Sequence, residues 1–472
     1  MNRFELILFL MLFSAIGMAQ TGTYIVSDFH EKDFETMMEV CRKAEVGYLL
    51  HSEPFSTFGH YKWNPDLAPK GDASMASMVQ QADALGIRLG IFAQTDAISL
   101  NDRFFAPPYY KMLRRQGRAA LFYDIDAEQR EFALRRTPVM DAPSTLNLLL
   151  IDDELAVYGT MEPFQEMLLL HRCGRGEYQT QAVGHHTTAE VYKLWDSPER
   201  FVAPDGSLKD SVQSYLTRRI EAAGISYVMY SPMPDATAAT TPHRPWHRVS
   251  LAAKRQSCTS IEELERVMVE AVGNDTDYGI FIDRHALSHY GRLDELLRLM
   301  RDWGRLRRWD CLTESHKEAL RDPYSEWHLE PADDTTYHLY QQYSSRRYFC
   351  DFEHDQWEWN SPCASRFALR IAVQGEGAVS ELCLKTPNGE LRFPCKLQAG
   401  QFLLYGFDGK AYITDLNYNT LEEVYPQGVS FLPEGRSEVS FSCEVHPQKR
   451  SPEVQLRYVV REKPEVFYAP HH

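Results

Sequence analysis

Two apolar runs of the sequence end in ionisable side chains of the types that move protons. The run at residues 46–50 leads directly to His51 and then Glu53, and the run at residues 88–93 ends just before Asp96. A carboxylic acid that protonates a leaving oxygen and a carboxylate that attacks or activates water are the groups that cleave a glycosidic bond. Glu53 and Asp96 are therefore our first two predicted catalytic residues.

The elements around these residues predict that they lie at one edge of a sheet. Residues 75–85 have the pattern of a helix, and Gly86 follows as a stop signal. A buried strand, a helix and a second buried strand form a βαβ unit of a parallel sheet. Ligands collect at the carboxyl ends of such strands.

Further candidates follow other predicted strands and loops. Asp283 comes directly after the apolar run at residues 278–282 and is the third predicted catalytic residue. Aromatic rings can stack on the apolar C–H faces of sugars, while polar side chains bind the hydroxyl edges. The predicted substrate-binding residues are His51, Phe55, His60, Asp102, Asp235 and Trp246.

Each candidate also has a simpler structural interpretation. Asp102 follows Asn101, a pair that is typical of a turn or of a helix cap. His60 and the nearby aromatic residues also suit packing within a loop. His51, His60, Asp96 and His285 have side chains that bind metals, but no spacing among them requires a metal, so we predict neither a metal site nor a cofactor.

Composition indicates the class of protein and its partners. At 472 residues the chain is long enough for two or three domains, and 44% hydrophobic with 25% charged residues is ordinary for a globular protein. The formal net charge of −16 argues against nucleic acid or an anionic membrane as a partner. No segment after the amino terminus is apolar and long enough to span a membrane.

The amino terminus has the pattern of a secretory signal. Arg3 precedes an apolar run at residues 6–13, and small residues lead to Ala19, after which we expect cleavage. No cysteine follows the run, so a lipid anchor is not expected. The predicted location is therefore the periplasm or the exterior of the cell, and a buried amino-terminal helix is the alternative.

The cysteines give no metal or redox motif. There are nine, without a CxxC pair, and five of them lie in the last quarter of the chain. A secreted protein could form a disulfide there, for instance between Cys383 and Cys395. Free thiols buried on strands are the alternative.

The order of elements predicts an α/β region followed by an all-β region. Residues 20–330 fit an incomplete or interrupted (β/α)8, TIM-like barrel with a β-rich insertion at about residues 120–194, and residues 331–472 fit a β-sandwich accessory domain. The insertion ends near His185 and His186, which point to opposite faces if their segment is extended. A structural role is the expected one for this pair.

Several motifs resemble secreted bacterial TIM-barrel proteins of the glycoside-hydrolase type, from polysaccharide-degrading systems. They are residues 54–60 (PFSTFGH), residues 86–92 (GIRLGIF) with Asn101, Asp102 and Pro107, the segment from Arg175 to His185, and the helix with Trp303. The similarity covers about residues 46–329. It implies a barrel, a carbohydrate ligand and cleavage by strand-end carboxylates, and the carboxyl-terminal region resembles accessory domains of such enzymes.

One departure from that pattern leaves two functions open. The strand at residues 227–230 corresponds to one that tends to end in an Asp-Gly catalytic turn in such enzymes, whereas here Ser231 and Pro232 follow it. The first hypothesis is a glycoside hydrolase that acts on a polysaccharide or oligosaccharide. The alternative is a non-catalytic barrel that binds glycans.

Overall fold

The chain divides into two compact units. The computed structural model describes residues 23–94, 98–142, 146–194, 207–231, 246–249, 259–350, 354–449 and 451–470. The first unit takes its described residues from Met1–Ser27, Glu35–Leu49 and Pro242–His472, and the second takes them from Asp28–Phe34 and Leu50–Thr241.

The described strands and helices have the following bounds. The strands are β1 Thr23–Ser27, β2 Tyr48–His51, β3 Phe55–Thr57, β4 Lys62–Trp63, β5 Arg88–Gln94, β6 Arg115–Ala119, β7 Phe132–Arg135, β8 Leu148–Ile151, β9 Glu154–Val157, β10 Thr160–Phe164, β11 Met167–His171, β12 Val191–Leu194, β13 Tyr227–Ser231, β14 Trp246–Val249, β15 Tyr278–Ile282, β16 Glu326–Asp333, β17 Thr336–Cys350, β18 His354–Ser361, β19 Ser365–Gln374, β20 Ala378–Thr386, β21 Gly389–Gln398, β22 Phe402–Tyr405, β23 Ala411–Thr414, β24 Thr420–Val424, β25 Gln427–Gly428, β26 Phe431–Leu432, β27 Gly435–His446, β28 Glu453–Arg461 and β29 Glu465–Tyr468. The α-helices are α1 Phe34–Lys43, α2 Asp72–Ala84, α3 Pro138–Asp141, α4 Ser207–Ala223, α5 Ile261–Gly273, α6 Arg284–His289, α7 Leu293–Arg308 and α8 Glu314–Arg321. Short 3-10 helices lie at Glu31–Asp33, Arg103–Phe105 and Tyr109–Met112.

The α/β part of the first unit is built on the buried strand β15. Strands β1 and β14 both pair with it in parallel. Such a strand is apolar on both faces because helices cover parallel sheets, and four of the five residues of β15 are buried. Helix α5 packs against α7 and α8. It begins at a capping box in which Ser260 and Glu263 satisfy each other's backbone N–H groups.

Two antiparallel sheets form the β-sandwich of the first unit. One contains β16, β17, β28, β19, β22, β23 and β24 in that order, and the other contains β18, β27, β20, β21 and β25. Side chains at alternate positions of both sheets fill one apolar core, including Phe367, Leu456 and Val439. The indole N–H of Trp357 on β18 donates to the hydroxyl of Tyr458 on β28 at 2.9 Å, which links the two sheets through that core.

The second unit contains a parallel pair and an antiparallel region. Strands β5 and β13 pair in parallel, and helices α2 and α4 pack against each other. The antiparallel region has two sheets, β10-β11-β7 and β6-β12-β8-β9, around an apolar core of its own. Leu134, Leu149 and Leu170 are fully buried in this core.

Gly90 allows a close approach within the second unit. A Cβ atom at this position would lie 2.6 Å from Cδ2 of Leu50 and 2.8 Å from the carbonyl oxygen of Tyr227. The backbone of β5 therefore touches its neighbours directly, and a side chain at position 90 would push them apart.

Most predicted elements occur close to their expected bounds. The structure shows an α/β region with parallel strands, an antiparallel region at the predicted insertion and a carboxyl-terminal β-sandwich. The described strands do not establish a closed eight-stranded barrel, which stays a prediction. The predicted boundary between residues 330 and 331 falls inside β16. Cys383 and Cys395 are both free thiols, which agrees with the alternative of free thiols and not with a disulfide between them.

We expect Gly90→Ala to lower the free energy of unfolding by about 1–3 kcal/mol, because overpacking at a strand contact forces the backbone to shift. Urea unfolding followed by near-ultraviolet circular dichroism measures this. Gly47→Ala is the control, since a Cβ atom there meets nothing within 4 Å. Equal midpoints for the two variants would contradict the close-approach explanation.

Candidate functional site

His51 is the last residue of strand β2 and Glu53 follows the strand, but the two side chains differ in exposure. His51 is 1% exposed, and its Nε2–H donates to the carbonyl oxygen of Phe29 at 2.8 Å. Its Nδ1 accepts the backbone N–H of Glu53 at 3.2 Å, which assigns the neutral tautomer with the proton on Nε2. Both ring nitrogens therefore hold the backbone, whereas the side chain of Glu53 is exposed.

The structure brings Asp102 and His60 together. The buried carboxylate of Asp102 accepts Nδ1–H of His60 at 2.7 Å and the backbone N–H of the same residue at 2.9 Å. It also accepts the N–H of Phe104 at 3.0 Å and so caps the 3-10 helix Arg103–Phe105. Asp102 is thus both the cap that the sequence offered as its simpler interpretation and the residue that orients His60.

The hydrogen bond to Asp102 engages Nδ1 of His60, so Nε2 is the ring nitrogen that this bond leaves unused. The His60 ring stacks on Phe104 with ring centres 4.3 Å apart, and Tyr215 lies 4.4 Å away. About 24% of the His60 side chain is exposed. In a dyad of this kind the carboxylate fixes the tautomer, and the free nitrogen can accept or donate a proton.

Gly59 makes the dyad possible. Its φ is +109°, and a Cβ atom there would lie 2.8 Å from the Asp102 carboxylate and 3.0 Å from the Phe104 ring. Any other residue would combine backbone strain with a collision against the carboxylate that holds His60.

The ring of Phe55 is used in packing. Phe55 is 6% exposed, and its ring centre lies 5.0 Å from that of Tyr61 and 4.7 Å from that of Trp63. These three rings form the core of the small β3-β4 hairpin. The half-buried aromatic side chains of the second unit that surround Phe104 are instead Tyr109 and Tyr215.

The remaining predicted residues lie elsewhere or outside the described residues. Asp283 belongs to the first unit, is 9% exposed, and caps α6 by accepting the N–H of Ala286 at 2.6 Å. Asp96 and Asp235 lie outside the described residues, as does the side chain of Trp246, whose backbone begins β14. The predicted catalytic roles of Asp96 and Asp283 and the predicted substrate-binding roles of Asp235 and Trp246 therefore stay predictions.

A buried charged network in the antiparallel region was not predicted. The carboxylate of Glu154 accepts Nε of Arg175 at 2.5 Å, the second guanidinium N–H of Arg175 at 2.9 Å and Nε2–H of His185 at 2.9 Å. Nδ1 of His185 lies 2.9 Å from the Asp152 carboxylate. The next residue, His186, is exposed and contacts Asp124, as alternation along an extended segment predicts.

Opposing effects set the pKa values in this network. Burial by itself raises the pKa of Glu154, but hydrogen bonds from His185 and Arg175 outweigh it and lower that pKa to about 2. Burial lowers the pKa of His185, but its hydrogen bonds to Glu154 and Asp152 raise it above the ordinary 6.5. The arrangement is therefore a paired ionic group that ties the segment 175–185 to the hairpin of β8 and β9.

The sequence contained a partial signal for this network. Asp152, Asp153 and Glu154 interrupt two apolar strands with three consecutive acids, and Arg175 and His185 were noted only as part of a motif. These acids and bases are 21 to 33 positions apart, so only the fold shows which of them pair. Among the described residues, no group of three His, Cys, Asp or Glu side chains is arranged to hold a metal ion. In the same part of the chain, no helix has the length and apolarity to cross a membrane.

Comparisons with known proteins give only distant likenesses. No protein-family model matches the sequence, and no curated protein matches it. Among solved structures, an α-amylase from Geobacillus thermoleovorans complexed with acarbose is 8% identical with a TM-score of 0.31, covering 89% of this chain and 98% of that one. A maltogenic α-amylase from Thermotoga neapolitana is 6% identical with a TM-score of 0.34, covering 92% and 99%. A family 36 α-galactosidase from Geobacillus stearothermophilus with stachyose is 10% identical with a TM-score of 0.32, covering 90% and 56%. TM-scores of this size do not establish a shared fold or activity.

We expect Arg175→Met to lower the free energy of unfolding by about 3–5 kcal/mol, because it leaves Glu154 as a buried charge without its main partner. Thermal and urea unfolding of the full chain measure this. Arg172→Met is the matched control, since Arg172 is exposed and close in sequence. The explanation fails if both variants lose the same small amount.

The stability that His185 contributes should depend on pH. Its pKa is raised on folding, so the contribution is complete below about 6.5 and is lost as the pH rises through the folded-state value. The contribution of Glu154 is present above about 4.5 and is lost as the pH falls through about 2. The difference in unfolding free energy between the natural protein and His185→Gln should therefore be largest between these limits and smaller at about pH 9. A difference that grows toward alkaline pH would contradict this.

Proposed function

We propose that the protein acts on a polysaccharide or oligosaccharide at the strand-end edge of its second unit and hydrolyses a glycosidic bond there. The observation that carries the proposal is the His60–Asp102 dyad, whose partly exposed imidazole is bound to Asp102 through Nδ1 and lies beside Phe104 and Tyr215. A ring nitrogen with a fixed tautomer can bind a sugar hydroxyl and exchange a proton with it, and partly exposed aromatic rings suit the apolar faces of a sugar.

The carboxylates of the proposed reaction are Glu53 and Asp96. Glu53 supports the proposal because its side chain is exposed after a strand end, while the neighbouring His51 fixes the backbone on which it stands. Asp96 is included in the proposal because it follows the apolar run at residues 88–93 in the sequence. One of the two would protonate the leaving oxygen, and the other would attack the anomeric carbon or activate water.

A specific observation favours the alternative, a non-catalytic protein that binds glycans. Asp102 and Asp283 are buried, and each accepts a backbone N–H as the cap of a helix. Among the residues described, Glu53 is therefore the one predicted carboxylate with an exposed side chain. Hydrolysis of a glycosidic bond by this mechanism needs two carboxyl groups. The substitution of Ser231-Pro232 for the Asp-Gly turn expected from the resemblance points the same way.

The proposal includes secretion and a barrel-type α/β fold. Secretion rests on the signal-like residues 1–19, which lie outside the described residues. A periplasmic or extracellular location suits a protein that meets polymers too large to enter the cell. The barrel rests on the order of strands and helices in the sequence and on the parallel pairings of β1, β14 and β15 and of β5 and β13.

The test combines product analysis with binding. The full chain is incubated with a panel of α- and β-linked oligosaccharides, products are followed by chromatography, and binding is followed on a glycan array. We expect release of products by the natural protein, and a loss of kcat of about 100-fold or more in Glu53→Gln, in Asp96→Asn and in His60→Gln, because each variant removes a group that transfers a proton.

Glu128→Gln, which changes an exposed carboxylate in the antiparallel region, should keep full activity. Full activity in both Glu53→Gln and Asp96→Asn would show that the assigned carboxylates are wrong. Binding without products would establish the alternative. Neither binding nor products on the whole panel would contradict both functions.

A further inference from the structure

A cavity of about 580 Å³ lies within the first unit, where α5 and α7 face strands of the β-sandwich. Its volume falls in the range of small-molecule sites. A smaller cavity of about 150 Å³ shares Glu262, Arg370 and Arg457 with it, so the two adjoin at these side chains. None of the predicted site residues whose side chains the structure describes lines either cavity.

The larger cavity is lined by equal numbers of acidic and basic side chains, six of each. Its carboxylates are Glu262, Glu265, Glu295, Asp302, Glu330 and Asp408. Its cationic side chains are Arg292, Arg298, Arg370, Arg457, Arg461 and His328. Burial lowers the pKa of His328, but the charge of Glu265 and their hydrogen bond outweigh this and raise it to about 10, so His328 counts as a cation.

Most of these cations have a close carboxylate. Arg292 forms two hydrogen bonds with Glu295, at 2.6 and 2.7 Å. Arg461 reaches Glu330 at 2.6 Å. His328 reaches Glu265 at 2.7 Å. These pairs neutralise each other and leave little net charge to attract a multiply charged ligand.

Two lining cations, the exposed Arg298 and the half-buried Arg370, have no such carboxylate among the described residues, and the more enclosed of them is Arg370. Its guanidinium donates to the hydroxyl of Tyr418 at 3.2 Å and lies over the ring of Phe402 at 5.8 Å. Within the part of the chain that the structure describes, no carboxylate lies within ion-pair distance of it. A planar guanidinium held by an aromatic ring and a phenol, and open to a cavity, is suited to a carboxylate, which it can bind with two parallel hydrogen bonds.

Glu262 supplies a second polar feature at the junction of the cavities. Its Oε1 lies 3.8 Å from Arg292 and 3.9 Å from Arg457, too far for hydrogen bonds. Its Oε2 and the Nε of Arg457 are buried and have no hydrogen-bond partner among the described residues. Burial raises the pKa of Glu262, but Arg292, Arg457 and Arg370 outweigh this and lower it to about 2, so it is a charged acceptor suited to a hydroxyl donor.

We infer that this cavity binds a small organic acid that has one carboxylate and several hydroxyl groups. Arg370 binds the carboxylate. Glu262 and Gln342, which lines both cavities, bind hydroxyls. The balanced charge of the lining selects a singly charged ligand over phosphate or sulfate, and the site is separate from the one proposed in the second unit.

Isothermal titration of the full chain tests the inference with D-glucuronate and D-gluconate as probes, and with D-glucose and inorganic phosphate as comparisons. We expect at least one of the two acids to bind, and glucose and phosphate to bind at least about 10-fold more weakly. Arg370→Gln should weaken binding of the acid at least about 10-fold. Arg370→Lys, which keeps the charge without the planar fork, should give an intermediate loss and serves if Arg370→Gln does not fold.

Arg366→Gln is the matched control, because Arg366 lies on the same strand, is exposed and does not line the cavity. It should leave binding unchanged. His60→Gln should also leave it unchanged, which distinguishes this site from the proposed carbohydrate site. The inference is overturned if neither acid binds, if glucose or phosphate binds as tightly as the acids, or if the Arg370 variants bind as the natural protein does.

Discussion

A carboxylate that leaves water has to be met by donors, and three buried carboxylates each organise one part of this protein. Asp102 fixes the turn at Gly59 and the ring of His60 in the second unit. Glu154 ties the segment that contains Arg175 and His185 to the hairpin of the antiparallel region. In the first unit, Glu265 accepts the indole N–H of Trp303 on α7 and the backbone N–H of Leu329 on β16. In all three places, the local course of the chain brings hydrogen-bond donors to one buried carboxylate.

The sequence predicts the structure best where apolar residues recur at the regular spacing of a single helix or strand. The strand at residues 278–282 has the bounds expected from its apolar run, and the helix predicted at residues 75–85 is observed at Asp72–Ala84. Such elements bury one face or two against any partner, so the pattern alone specifies them. The turn after Leu113 was harder. A short helix ends there at Met112 and β6 begins at Arg115, because the chain pairs with the distant strand β12.

Side-chain roles were less predictable than side-chain positions. His51 ends an apolar run and Asp102 follows one at a distance, and these positions are visible in the sequence. Their partners, the carbonyl of Phe29 and the N–H groups of His60 and Phe104, come from other segments or from the exact turn that follows. The cavity of the first unit could not be foreseen, because its lining joins α5, α7 and strands far apart in the sequence. The charged face of α7 has the ordinary pattern of a face in solvent, so it does not indicate a cavity.

The extent of β16 has a consequence for how the protein can be divided. This strand runs through Glu326–Asp333 and pairs with β17 along its length, while Leu329 and His328 are bound to Glu265 of α5. A cut between residues 330 and 331 would remove the larger part of an edge strand and leave the backbone N–H and C=O groups of β17 that pair with it without partners. The β-sandwich and the helical layer that precedes it therefore depend on each other. Recombination between genes would have to exchange the two together.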